Sequence, residues 1–485
     1  MTQIMQATVA LSTRSKRPPM RLIATLVAGL AAGGLAAGCT AGAEDVQPDA
    51  LQLNFPTGAA ISPDGTRLFV ANANSDLTFD SGSITVVALP SVEAAIERWT
   101  VNRDPGACAQ DPELTETLVC DERVFLEETR DAGVRIGNFA TEIAVQDLGG
   151  GRLRLIVPTR GDPSIAWIDW DPAAGRLSCE RTGGGFALCD ADHRLSFLFN
   201  DADNTAIREE PFGVFAATIP DSDPADGLDD SSGYAIVTHL SSGAVTLIDS
   251  PPNGVVQVTD VALNSFAPDP FTGVPGATGV AGRRPGTAEN IIYVGSRSED
   301  RVQMFTVGRP VNEAPPFLLT GDWFFLNDVG YPNPNNPNTG SNDTRGMVFS
   351  QDGDRLYLVN RKPPTLQIYD TSLDATGFPM NQAVGATDIC RQASTVAVAG
   401  TDDGERVFVS CFQDGQIYVI DPRGTGRIED IITVGRGPYS VVASPDGRRL
   451  YVTNFLEDTI AVIDLVPGSA TRNRVVLRIG EPRLL

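Results

Sequence analysis

Apolar residues along this chain come in short runs rich in β-branched and aromatic side chains, each closed by a polar turn. No 3.6-residue periodicity of the kind a helical solenoid needs is present. One turn-plus-strand phrase recurs: Asp64-Gly65-Thr66-Arg67-Leu68-Phe69-Val70, then Asp352 to Leu358, Asp403 to Val409 and Asp446 to Val452. Asp-Gly supplies a tight turn, with glycine taking the positive φ that other residues avoid. The β-branched and aromatic residues that follow favour a strand. Before the turns stand runs of small residues, Gly58 to Ile61, Thr395 to Val398 and Ser440 to Ala443. After them comes a further strand that usually ends in Asp, at Asp169, Asp249, Asp370, Asp421 and Asp464.

The last two of those Asp residues are 43 apart, the period of a unit of four short strands. Small residues suit an innermost strand, where such units converge on a central channel. The near-continuous apolar runs suit strands covered on both faces. The expected fold is therefore all-β, a β-propeller of seven four-stranded blades in a single closed ring. The blades fall at roughly 55–101, 134–200, 207–258, 275–320, 344–385, 393–433 and 438–480, and a count of six or eight also fits the thinner regions.

Tyr451-Val452-Thr453-Asn454 resembles the signature of the YVTN β-propeller repeat family, and Phe69-Val70-Ala71-Asn72 and Tyr357-Leu358-Val359-Asn360 look like variants of it. The resemblance is sharpest over 55–89 and 344–466. It implies a bacterial, envelope-anchored lipoprotein. The expected organisation is a removed signal peptide over 1–38, a linker over 39–50 and the propeller over 51–485, with insertions at 103–133, 171–200 and 331–343. Arg474 to Gly480 reads as a final strand that closes the ring together with Leu51-Gln52-Leu53.

The N-terminus carries the targeting signal. Arg14, Lys16, Arg17 and Arg21 precede an apolar run over 22–35 that ends in Leu35-Ala36-Ala37-Gly38-Cys39. Small residues before a Cys resemble a lipobox, so Cys39 is the expected lipid attachment site; Met20 to Cys39 is already a complete signal. Thr40 after the Cys points to the outer membrane. The formal net charge is −24, and −28 without residues 1–38, so no nucleic-acid partner is expected. The six remaining cysteines suit an oxidising envelope. Cys108–Cys120 and Cys179–Cys189 are short-range pairs within insertions. Cys390 precedes one strand of the sixth blade and Cys411 ends its antiparallel neighbour, so they too should meet.

With His193 and His239 the only histidines, no metal site or catalytic triad is expected, and no cofactor motif appears. An acidic stretch, Asp221 to Asp230, departs from calcium-loop spacing and reads as a solvated turn. The positions after each second strand form one column: Asn72-Ala73, Thr159-Arg160, His239-Leu240, Ser296-Arg297, Asn360-Arg361, Cys411-Phe412 and Asn454-Phe455. Arg160, Arg297 and Arg361, with His239 nearby, are the candidate ligand-binding residues, since guanidinium forks match carboxylate and phosphate. Arg345, Arg391 and Arg436 enter from the facing loops, with Glu142, Glu209 and Glu210 as counter-charges. Ion pairing with these and other acids is the plainer role for the arginines. Function is expected to be non-catalytic binding of an envelope partner or small anionic ligand over the channel. The alternative is a hydrolase resembling sugar-lactone lactonases, which use seven-bladed propellers with Arg, His and Glu over the channel.

Overall fold

The computed structural model describes residues 46–179, 186–189, 191–196, 207–219, 232–269, 272–283, 290–308, 315–326 and 343–483. Cys39, the signal, the acidic stretch Asp221 to Asp230 and nearly all of 331–343 lie outside these residues. The described chain forms seven sheets, one per repeat, whose consecutive blade strands run antiparallel. Their innermost strands are Pro56–Ile61, Ala144–Gly149, Pro211–Ile219, Ala277–Arg283, Thr344–Phe349, Ala393–Thr401 and Pro438–Ala443. Each innermost strand packs against its neighbours, and the first packs against the last, so the ring is closed. The protein is a seven-bladed β-propeller, with blades numbered one to seven in chain order.

The recurring turn is held the same way in blades one, five and seven. Ser62 Oγ accepts from the Arg67 N–H and donates to Asp64, and Ser350 and Ser444 repeat the pattern. Gly65, at φ 70°, occupies the left-handed region that the turn requires. Between blades the second and third strands interleave into apolar layers. Phe69, Val86, Leu155 and Ile168, for example, are all essentially inaccessible and lie in one cluster spanning blades one and two.

Six innermost strands share one irregularity. The first residue pairs with the end of the second strand, as in Pro438↔Asn454, and pairing resumes three residues later, as in Val441↔Val452. The same slip occurs in blades one, three, four, five and six. A bulge of this kind bends the strand and leaves its extra residues free of the ladder. The carbonyls of Thr57, Phe212, Thr278 and Tyr439, freed in this way, turn to the preceding blade instead. Thr57, Thr141, Thr238, Thr278, Thr395 and Thr453 each donate a hydroxyl to a carbonyl in the following blade: Ala140, Phe212, Thr278, Thr344, Tyr439 and Thr57 respectively. The junction from blade five to blade six has Val359 where blade seven has Thr453, and Arg361 Nε fills the gap by donating to the Ala393 carbonyl at 2.6 Å.

Three departures from the sequence expectation concern the outer strands. Val134–Ile136 is the fourth strand of blade one, not the start of blade two. The segment before it begins at Leu89 with a helix, Leu89–Asn102, whose Leu89, Val92, Ile96 and Trp99 stripe is buried. Arg474–Ile479 completes blade seven against Thr459–Asp464, and Leu51 to Leu53 form no strand with it. Ring closure is reinforced by Leu118–Cys120, an insertion strand of blade one that adds in parallel to the edge of blade seven. A free edge is covered in this way.

In blade two the outer position is shared by Arg176–Ser178 and Arg194–Ser196, both paired to Ser164–Asp171. The disulfides are Cys108–Cys120, Cys179–Cys189 and Cys390–Cys411, with Cα atoms 4.3, 5.0 and 5.8 Å apart. Three such bonds suit an extracytoplasmic compartment.

Candidate functional site at the channel mouth

Because the innermost strands carry small residues and bulges, their first halves converge around a cavity of about 180 Å³ that all seven blades line. Most of the lining is backbone, glycine or apolar. The groups able to do chemistry there are Glu142, Arg345 and Tyr439, with the hydroxyls of Thr395 and Ser440.

Glu142 lies two residues before the innermost strand of blade two and accepts a hydrogen bond from the Val214 N–H at 3.1 Å. Burial pushes its carboxyl up to about 7, an effect that the one backbone bond offsets only in part. Burial likewise pushes the Tyr439 phenol up to about 12; the Glu142 charge adds to the rise, and Arg160, Arg345 and Arg361 oppose it. Of these three, Arg345 of blade five lines the cavity, and Arg160 and Arg361 stand outside its lining. Arg345 pairs with Asp343 at 2.7 Å and stands 5.8 Å from the Phe212 ring centroid.

The four residues singled out from sequence do not form one open cluster. His239 occupies the place that Asn454 holds in blade seven, and its ring caps the strand end. Nδ1 lies 3.1 Å from the Glu209 carbonyl and Nε2 lies 2.8 Å from Thr246 Oγ1. It is fully buried, burial lowers its pKa to about 4, and it does not line the cavity. Arg160 pairs with Glu210, whose carboxyl is held below its ordinary range by hydrogen bonding and charge from Arg160 and further by Arg297. Arg361 is committed to the Ala393 carbonyl and Ser394 Oγ; burial and the Arg345 charge lower its pKa to about 10. Of the facing arginines, Arg436 binds the carbonyls of Leu456 and Arg483, and Arg391 is exposed.

Other residues of the same column add a feature that attention to charge alone passed over. Phe412 and Phe455 hold, in blades six and seven, the position that Arg160, Arg297 and Arg361 hold in blades two, four and five. Phe455 packs 5.2 Å from Phe55, 6.1 Å from Phe412 and 6.1 Å from Tyr439, ring centroid to centroid. The mouth thus has a basic arc and an aromatic arc. The column itself contained the signal; the weight of Glu142 and Tyr439 did not follow from any motif.

No family model matches the chain. Among curated proteins it is 29% identical over 124 residues to the protein NirF of Pseudomonas aeruginosa and 27% identical over 124 residues to NirF of Stutzerimonas stutzeri. Each match takes in 25% of this chain, and the chain spans 31% of the length of those relatives. Among solved structures it is similar to a 6-phosphogluconolactonase-like protein of Bacteroides fragilis, with TM-score 0.48, 13% identity, and 73% and 91% of the two chains covered. It is also similar to a periplasmic gluconolactonase of Pseudomonas aeruginosa, with TM-score 0.47, 16% identity, and 79% and 87% covered. The propeller assignment rests on this chain's own seven sheets.

Proposed function

We propose that this chain is a binding protein of the cell envelope, lipid-anchored at Cys39 on the outer membrane, whose channel mouth takes a small anionic ligand. The observation that carries the reading is the place of Arg345 beside Tyr439 in the lining of a cavity to which every blade contributes. Against a mature charge of −28, a guanidinium in the channel lining gives an anion a local point of attraction. Arg345 is the best single anchor, since its partner Asp343 can share the guanidinium while Arg361 is tied to backbone. The test is calorimetric titration of the full chain with benzoate, acetate and inorganic phosphate. Binding should weaken with salt, because the mouth is open to solvent, and Arg345→Gln should abolish it while the melting temperature changes little. Absence of binding by all three anions overturns the reading.

Glu142 supports a second reading. A carboxyl with a pKa of about 7 is poised as a general acid or base at neutral pH, which suits hydrolysis of a sugar-lactone-like ester. Release of hydroxy acid from a lactone panel, lost on Glu142→Gln, distinguishes this from binding alone.

A further inference from the structure

The rim column divides by chemistry around the ring, and the division gives the ligand a shape. Arginines hold the position in blades two, four and five. Phenylalanines hold it in blades six and seven, and Phe55 joins them at the entry to blade one. The two arcs meet where blade five adjoins blade six: Arg361 reaches across to Ser394 Oγ at 2.9 Å, and Phe412 follows the second strand of that same sixth blade. Tyr439 links the aromatic arc to the cavity, since it lines the cavity and packs against Phe455.

Phe412 and Phe455 remain only half-buried, although aromatic rings that serve a core are normally covered. Three neighbouring rings at centroid separations of 5.2 and 6.1 Å, tilted by 56° and 46°, form a faceted wall and not a sealed layer. A ligand that only needed charge would gain nothing from this side of the mouth.

Resting on the reading that the mouth binds an anion, we infer that its ligand class is a small aromatic carboxylate, ring against Phe412 and Phe455, carboxylate toward Arg345. Ring-to-ring contact at such a wall adds a preference over a saturated ring of equal size, because edge and face of aromatic rings attract beyond simple area burial. The guanidinium fork orients the carboxylate.

The experiment titrates the full chain with benzoate, cyclohexanecarboxylate and benzamide. Benzoate should bind roughly three- to tenfold more tightly than cyclohexanecarboxylate, the fold-change that an aromatic pair is worth, and benzamide should not bind. Phe412→Leu should remove the preference for benzoate and keep carboxylate binding; Arg345→Gln should remove both carboxylates. Equal affinity of the wild-type chain for benzoate and cyclohexanecarboxylate overturns this inference and leaves the anion reading standing. Failure of benzoate to bind overturns this inference, and failure of acetate and inorganic phosphate as well overturns the anion reading with it. The wild-type comparison decides the matter even where Phe412→Leu does not fold.

Discussion

Thr453 donates its hydroxyl to the carbonyl of Thr57 at 2.7 Å, although 396 residues separate them. The same hydroxyl accepts the Ser440 N–H at 3.0 Å, so one side chain serves both its own blade and the junction of last blade to first. Thr453→Val keeps the shape and removes the oxygen, leaving a buried N–H and a buried carbonyl short of a partner. We expect a loss of about 1–3 kcal/mol, read as a lower denaturant midpoint at unchanged slope.

The insertion strand Leu118–Cys120 acts as a clasp on blade seven. Gly480 N–H donates to the Cys120 carbonyl and Thr117 Oγ1 donates to that of Val475, while the Cys108–Cys120 disulfide closes the loop behind the strand. Replacing both cysteines by Ala should cost about 2–3 kcal/mol, as expected for a loop of this length. It should also open the segment 103–117 to limited proteolysis ahead of the rest of the chain. A digestion pattern unchanged from wild type contradicts the clasp.

Glu142 and His239 tilt the stability profile in opposite directions. The Glu142 carboxyl rises from 4.5 to about 7 on folding, so its contribution is full below pH 4.5 and is lost as pH rises through 7. His239 falls from 6.5 to about 4, so its contribution is full above pH 6.5 and is lost as pH falls toward 4. Thermal midpoints of Glu142→Gln should therefore decline on acidification more clearly than those of wild type, and midpoints of His239→Asn should decline on approach to pH 7.

His239→Asn carries a second expectation. Asn is the residue found at this position in blades one, five and seven, where Asn72, Asn360 and Asn454 cap the strand end. The variant should fold and keep any anion affinity, whereas His239→Leu, which leaves Thr246 and the Glu209 carbonyl without the ring, should lose roughly 1–3 kcal/mol. Loss of binding in a well-folded His239→Asn protein would restore the histidine to the site.

Lipid attachment is tested by fractionation. Expressed in a Gram-negative host, the full chain should partition with membranes and Cys39→Ser should appear in the soluble periplasmic fraction. Equal membrane retention of the two points to another anchor.

Strand content, blade period and all three cysteine pairings are legible in the sequence, because each depends on residues close along the chain. Asp64-Gly65 dictates its own turn, and Cys390 and Cys411 end adjacent antiparallel strands of one blade. The column holding Arg160, Arg297, Arg361, Phe412 and Phe455 was likewise readable, since a repeat places equivalent residues at equivalent heights. What a repeat cannot encode is which neighbour each residue meets across the ring. That His239 turns inward to Thr246, that Glu142 loses its water, that Arg361 stands in for a missing threonine hydroxyl, and that Leu118–Cys120 crosses to blade seven were all decided by tertiary closure. These outcomes depend on contacts between blades, where desolvation and partner choice follow from packing and leave no local pattern in the chain.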